Sequence, residues 1–491
     1  MQAYGYAEKW LLFPSREGAR GLVWWQGCVR RNASLANHSA EYTPLPPSQE
    51  GNRTSPRFFW PLLVFTPPFL LLSPTILLTV LILFFGSSSF AQSPYGNNIF
   101  RPEIKSVEFY KVDKQAAAFP VITLNSDEKV TLGFDDLSGG SRNFSYTIEH
   151  CDANWKSSNL SPAEYLQTFM DDRLFNYSYS SATFQKYTHY ELTLPNQNIA
   201  PKIAGNYVLK IYEDADPTKL ILTRRMYVLN SRVGVGGTIT SSNNVLARRT
   251  NQKLNFTVDY GGLNVQNPNR DIRVLVMQNA RPETGRMNTV PTYIRGTQLV
   301  YNDVNINDFA GGNEFRHFDT RSLKLNSERI AKIYRDTANT VMLLGDPNRN
   351  LPNYTLLYDN DGKYYIINQD GRDARTDADY AHIYFNVGTN KSEVEGTPYI
   401  IGQFNDFKIN EQSRMTFDAR GRFYTNLLLK QGVYDYMYVW VNNATKQPDY
   451  TALEGTYFET ENEYQLLVYA RPAGARWEEL VGYSLLRTVR P

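Results

Sequence analysis

The sequence predicts an all-β protein built of tandem β-sandwich domains. Short runs that alternate apolar and polar residues recur from Ile104 onward. Turn-forming clusters such as Asn125-Ser126-Asp127 and Ser138-Gly139-Gly140 separate them. The composition agrees, since 34 Tyr and 26 Phe with abundant Thr and Asn favour strands and turns over helices. At 491 residues the chain exceeds a single core, and about 150 residues per domain implies three units.

Residues 1–91 read as an N-terminal extension and signal peptide. Arg53 and Arg57 precede an apolar run from Phe58 to Phe85, whose first half is broken by prolines at 61, 67, 68 and 74. The uninterrupted part, Ile76–Phe85, has the length of the apolar segment of a secretory signal, with a retained N-terminal anchor as the other reading. Small residues Ser89 and Ala91 then make Gln92 the expected mature N-terminus. This front segment holds 7 Lys/Arg and 4 Asp/Glu, leaving 44 against 45 in the body. A body so close to neutral lacks a nucleic-acid footprint. Cleavage also removes Cys28 and leaves Cys151 without a disulfide partner. The adjacent His150 would point to the opposite face of a strand, so a Cys–His nucleophile is not expected.

In the first mature domain, residues 92–230, alternation marks Ile104–Tyr110, Lys129–Phe134, Asn143–His150, Tyr187–Leu194, Asn206–Tyr212 and Leu220–Leu229. A long aromatic-rich excursion separates the third and fourth of these, and such excursions on a rigid sandwich are where recognition concentrates. Gly205-Asn206-Tyr207-Val208-Leu209 resembles the tyrosine corner of immunoglobulin-like domains, with Leu209 where a disulfide cysteine would stand. Trp155, just after the third strand, either plugs the core or faces a partner.

Several motifs, taken in order, carry a wider resemblance. His150-Cys-Asp-Ala-Asn-Trp-Lys-Ser-Ser158, Tyr187-Thr-His-Tyr-Glu-Leu-Thr-Leu-Pro-Asn196 and Ala204-Gly-Asn-Tyr207 come first. Gln278-Asn279, Gly311-Gly-Asn-Glu-Phe-Arg-His-Phe-Asp-Thr-Arg321 and Asp377-Ala-Asp-Tyr380 follow. The set, spanning roughly Asn98 to the C-terminus, resembles the type IX secretion system plug protein family. The resemblance implies a periplasmic, non-enzymatic protein associated with the outer membrane only through its partner, acting as a monomer in a hetero-complex. That partner would be the giant outer-membrane β-barrel of the type IX translocon, whose periplasmic mouth the plug seals when no substrate passes. No catalytic residue, metal ligand or cofactor is implied.

The middle domain, residues 231–390, contains Val233-Gly-Val-Gly-Gly237. It lacks dinucleotide-loop spacing and runs on as strand-like Thr238-Ile239-Thr240. Asp359-Asn-Asp-Gly-Lys363 fails the calcium-loop pattern and predicts a hairpin turn between Tyr354–Tyr358 and Lys363–Asn368. No histidine spacing suits zinc. In Phe315-Arg-His-Phe-Asp319, pairing of Arg316 with Asp319 would tie a loop down, or Phe315 and Phe318 would face a partner. The last domain, residues 391–491, resembles early-set sandwiches related to glycogen-binding modules. Phe407 replaces a usual sugar-stacking tryptophan and Trp440 is the only one near the second hairpin. A periplasmic glycan-binding module is therefore the alternative reading. Gly432-x-Tyr434 echoes Gly205-x-Tyr207 and suggests related tandem sandwiches. For a sealing protein the expected contacts lie in 154–179 and 309–321: Trp155, Tyr165, Phe169, Phe175, Tyr177, Phe315, Arg316 and Phe318.

Overall fold

The structure, a computed structural model, describes residues 94–112, 119–418 and 420–488. The signal segment and its expected cleavage site lie outside these residues. The described chain is all-β, and its three principal cores are each packed between two sheets.

In the first core, strands Ile104–Lys111, Val130–Asp136, Thr188–Leu194 and Tyr177–Tyr179 form one antiparallel sheet. Facing it are Phe144–Cys151, Gly205–Glu213 and Leu220–Leu229. Alternation chooses the inward face: Phe144, Tyr146 and Ile148 all join this core, and Leu209 lies opposite Ile148. Phe134 and Tyr190 stack with ring centroids 5.2 Å apart, and Phe144 meets Tyr190 edge-on at 4.8 Å. The predicted tyrosine corner is present. The Tyr207 hydroxyl donates to the Ile203 carbonyl at 2.8 Å, and Leu209 packs where a disulfide is absent.

The second core lies between Gly234–Ser241, Asn251–Asp259 and Gln298–Tyr301 on one side and Ile272–Gln278 on the other. The strands completing that far side are Glu463–Ala470 and Glu479–Arg487, from the end of the chain. The third core is enclosed by sheets around Gly432–Asn442 and Tyr380–Gly388. Its Tyr434 hydroxyl donates to the Lys430 carbonyl at 2.6 Å, repeating the Tyr207 corner. Strand partners thus cross positions 230/231 and 390/391. The Leu229–Leu480 bridge extends the sheet of the first core into the second, and Tyr380–Gly388 pairs with Arg422–Lys430. The third sandwich is inserted between two halves of the second, a long-range arrangement that alternation cannot reveal.

The Asp359–Lys363 segment turns as expected but makes no hairpin. Residues 354–358 lack a ladder partner, and Tyr364–Ile366 pairs instead with Gly432–Asn442. Side chains hold this turn. Asp359 accepts the Phe315 and Asp361 amides, and Asp435 accepts that of Gly362 at 3.2 Å. Asp361 and Gly362 both take positive φ, 55° and 78°. No described helix is long and apolar enough to cross a membrane.

Candidate partner-binding surface

The excursion between Phe144–Cys151 and Thr188–Leu194 divides into a buried half and an exposed half. Its first part folds inward. Trp155 is buried, with the Arg225 guanidinium 4.3 Å above its ring and Tyr227 edge-on at 5.3 Å. Tyr165 is buried against His150 and Tyr207. Burial pushes the His150 imidazole down to about 4, and burial with the Glu149 charge pushes the Cys151 thiol up to about 12. At neutral pH the imidazole is therefore uncharged and the thiol protonated.

The second part turns outward. Phe169, Phe175 and Tyr177 are 62%, 69% and 42% exposed, and Met170, Tyr179 and Phe184 are exposed with them. The backbone beneath them is tied down. The Phe169 amide donates to Asn198 O at 3.1 Å, and Leu174 N donates to Phe144 O at 2.9 Å. Thr147 Oγ1 donates to Met170 O at 2.6 Å, while the Tyr212 and Tyr146 hydroxyls hold Asp171 and Asp172, each at 2.9 Å. Among the described residues Tyr177–Tyr179 is also the terminal strand of its sheet, paired to Thr188–Leu194. The fixed backbone thus presents large apolar side chains to solvent.

Five of the eight contact residues expected from sequence are withdrawn by burial: Trp155, Tyr165, Phe315, Arg316 and Phe318. Arg316–Asp319 is a strand against Gly432–Asn442, so Phe318 points into the third core and stacks on Tyr434 at 5.2 Å. Arg316 does not pair with Asp319, which takes Arg321 instead at 2.6 Å. It bridges Glu454 at 3.0 Å and Asp346 at 3.2 Å, anions that Arg349 and Arg329 also hold. Burial works against its charge, yet Glu454 and Asp346 keep the guanidinium above its ordinary value. Met170, Tyr179 and Phe184 were missing from the sequence-based set. Tyr179 follows Tyr177 at strand spacing and was the one that alternation could have supplied.

The remaining recurrent motifs are structural junctions. In Asp377–Tyr380, the Asp379 carboxylate accepts the Phe184 and Gln185 amides at 2.8 and 3.1 Å. The Tyr380 hydroxyl donates to Asp135 at 2.7 Å, and Asp135 also holds Lys430 and His189, each at 2.7 Å. This fully interior knot fastens the first sandwich to the third. Asn279 exchanges hydrogen bonds with Asn462 and the Glu463 amide at 2.8 Å, and Asn206 accepts from the Tyr469 hydroxyl at 2.9 Å. Phe407 is half-buried under Arg281 at 5.1 Å and Trp440 is buried, so these two rings do not form an exposed sugar platform. Among the described residues no group of three His, Cys, Asp or Glu is placed to hold a metal ion.

Residues 104–230 match the family model described as Type 9 secretion system plug protein 1st domain. A crystal structure of a hypothetical protein from Parabacteroides merdae ATCC 43184 resembles the whole described fold. It superposes with a TM-score of 0.76 and 27% identity, covering 81% of this chain and 100% of that one. A serine-rich repeat protein (Srr2) from Streptococcus agalactiae aligns over 79% of this chain and 93% of that one. Its 9% identity and TM-score of 0.11 carry no argument. No curated protein matches.

Proposed function

We propose that this chain, which belongs to the type 9 secretion system plug family through residues 104–230, closes a secretion channel by binding it with the exposed face of its first sandwich. Its role lies in type 9 secretion at the cell envelope. Within that role the proposed partner is the translocon's giant outer-membrane barrel, approached from the periplasm, and the proposed action is occlusion without catalysis. The observation that carries the reading is that Phe169, Met170, Phe175, Tyr177, Tyr179 and Phe184 are all exposed within one excursion whose backbone is tied to the sandwich. Aromatic anchors held rigid lose little conformational freedom on docking, and such residues dominate binding energy at interfaces. Occlusion also requires that the body not deform, and the Asp135–Lys430–Tyr380 knot between sandwiches supports that requirement.

Replacing Phe169, Phe175, Tyr177 and Tyr179 together by serine tests it. The affinity-tagged wild type should copurify from outer membranes with one very large barrel protein, and the folded variant should not. Equal capture by both forms would remove this face from the interface.

A further inference from the structure

A partly enclosed cavity of about 470 Å³ lies where the three sandwiches meet, away from the exposed aromatic residues of the first sandwich. Its volume falls in the range of roughly 300–1,000 Å³ typical of ligand pockets. We propose that this cavity is a binding site for a neutral polyhydroxylated small molecule of the saccharide class. The inference is independent of the plug reading.

Three features of the lining select that chemistry. First, its cations are already engaged. Lys363 pairs with Glu463 at 3.1 Å, and Arg224 with Asp406 at 3.6 Å. Lys408 holds Asn98 Oδ1 at 2.9 Å and the Asn97 carbonyl, and Arg225 donates to Tyr95 O at 2.8 Å. The five carboxylates of the lining, Glu108, Glu283, Asp361, Asp406 and Glu463, also outnumber these four cations, which disfavours recruitment of a phosphate or carboxylate. Second, side-chain amides remain open. Gln465 is buried, and its Oε1 accepts the Ala280 amide at 2.7 Å. Gln403 Oε1 accepts the Tyr364 amide at 3.3 Å. The Nε2 of each has no protein partner among the described residues, leaving two donors beside the cavity. Each of these amide groups can donate to a ligand hydroxyl.

Third, Glu108 supplies the acceptor. It is reached from the cavity while being surrounded by protein, and accepts an amide hydrogen from Ile366. Burial pushes its carboxyl up to about 7, so near neutral pH it both donates and accepts, as hydroxyl groups do. Aromatic surface completes the site. Phe119 stacks on Tyr227 at 4.7 Å, and both line the cavity with Phe407 and Tyr450. Sugars present hydroxyls to amides and carboxyls, whereas a hydrocarbon chain would strand the Gln403, Gln465 and Glu108 groups.

The test is calorimetric titration of the intact mature protein with maltose, cellobiose and diacetylchitobiose at millimolar concentrations, with dodecanoate as the apolar control. The expected result is saturable binding of at least one disaccharide. It should weaken tenfold or more in both Gln465→Leu and Gln403→Leu, with dodecanoate silent. A second measurement, thermal unfolding without ligand, verifies that each variant is folded. Absence of binding by all three sugars, binding unchanged in folded variants, or preferential uptake of dodecanoate would each overturn the assignment. None of these outcomes bears on capture of the barrel partner.

Discussion

Replacing Arg316 by methionine separates a buried structural charge from an interface charge. Its guanidinium reaches Glu454 at 3.0 Å and Asp346 at 3.2 Å, and donates to the Pro347 carbonyl at 2.9 Å. Both anions are almost wholly interior, and each has other partners. Glu454 keeps Arg349 and the Tyr438 amide, at 3.0 and 2.9 Å. Asp346 keeps Arg329 and the Tyr436 and Tyr438 hydroxyls, each at 2.8 Å. Removing one member of a buried ionic network costs about 3–5 kcal/mol because the opposite charge stays buried. Here one cation remains for each anion, which places the loss near the lower end, about 3 kcal/mol. Urea unfolding followed by tryptophan fluorescence and far-ultraviolet circular dichroism measures it. Arg270→Met is the control: that exposed arginine pairs with Asp271 at 2.7 Å, and its loss should leave the unfolding midpoint essentially unchanged. If Arg316→Met costs less than about 1 kcal/mol and instead abolishes capture of the barrel, the structural assignment of this network is refuted.

Other outcomes follow from the same geometry. Tyr207→Phe and Tyr434→Phe should each lose about 1–3 kcal/mol in the same unfolding assay, because the Ile203 and Lys430 carbonyls lose their hydroxyl donors in buried surroundings. Gly205→Ala should cost on the order of 2–4 kcal/mol, since φ is +148° and an added Cβ would stand 2.3 Å from His150 Nε2; normal stability would show that the corner relaxes freely. Burial, with the Asp435 charge next, pushes Asp359 up to about 8. A carboxyl raised above its unfolded value favours the native state when protonated, so its contribution is lost as pH rises through about 8. Melting curves between neutral pH and that value should therefore decline more steeply for wild type than for Asp359→Asn, and parallel curves would contradict the assignment.

Alternation along Phe144–Ile148 and Thr188–Leu194 made the first sandwich legible, because one face of each strand must be apolar to be buried. The Gly-x-Tyr pattern located both tyrosine corners, since a hydroxyl reaching back along its own chain is a local event. Long-range partnership was not legible. Nothing within Glu463–Ala470 says that it pairs with Ile272–Gln278, because the ladder bonds are made by backbone groups common to every residue. The candidate surface was half legible for a related reason. An aromatic residue in an irregular segment carries no periodicity, so Trp155 and Phe175 look alike until the backbone buries one and exposes the other. Arg316 and Asp319 lie at a loop-like spacing, yet the strand Arg316–Asp319 directs the arginine toward two distant carboxylates.

A rigid body that closes a channel through its exposed aromatic residues must change what crosses the outer membrane. Entry of a large hydrophilic antibiotic across the outer membrane tests this most directly. Compared are cells lacking the protein, cells restored with wild type, and cells restored with the folded Phe169/Phe175/Tyr177/Tyr179→Ser variant. Raised entry in the first and third and normal entry in the second is the predicted pattern. Equal entry in all three would contradict it.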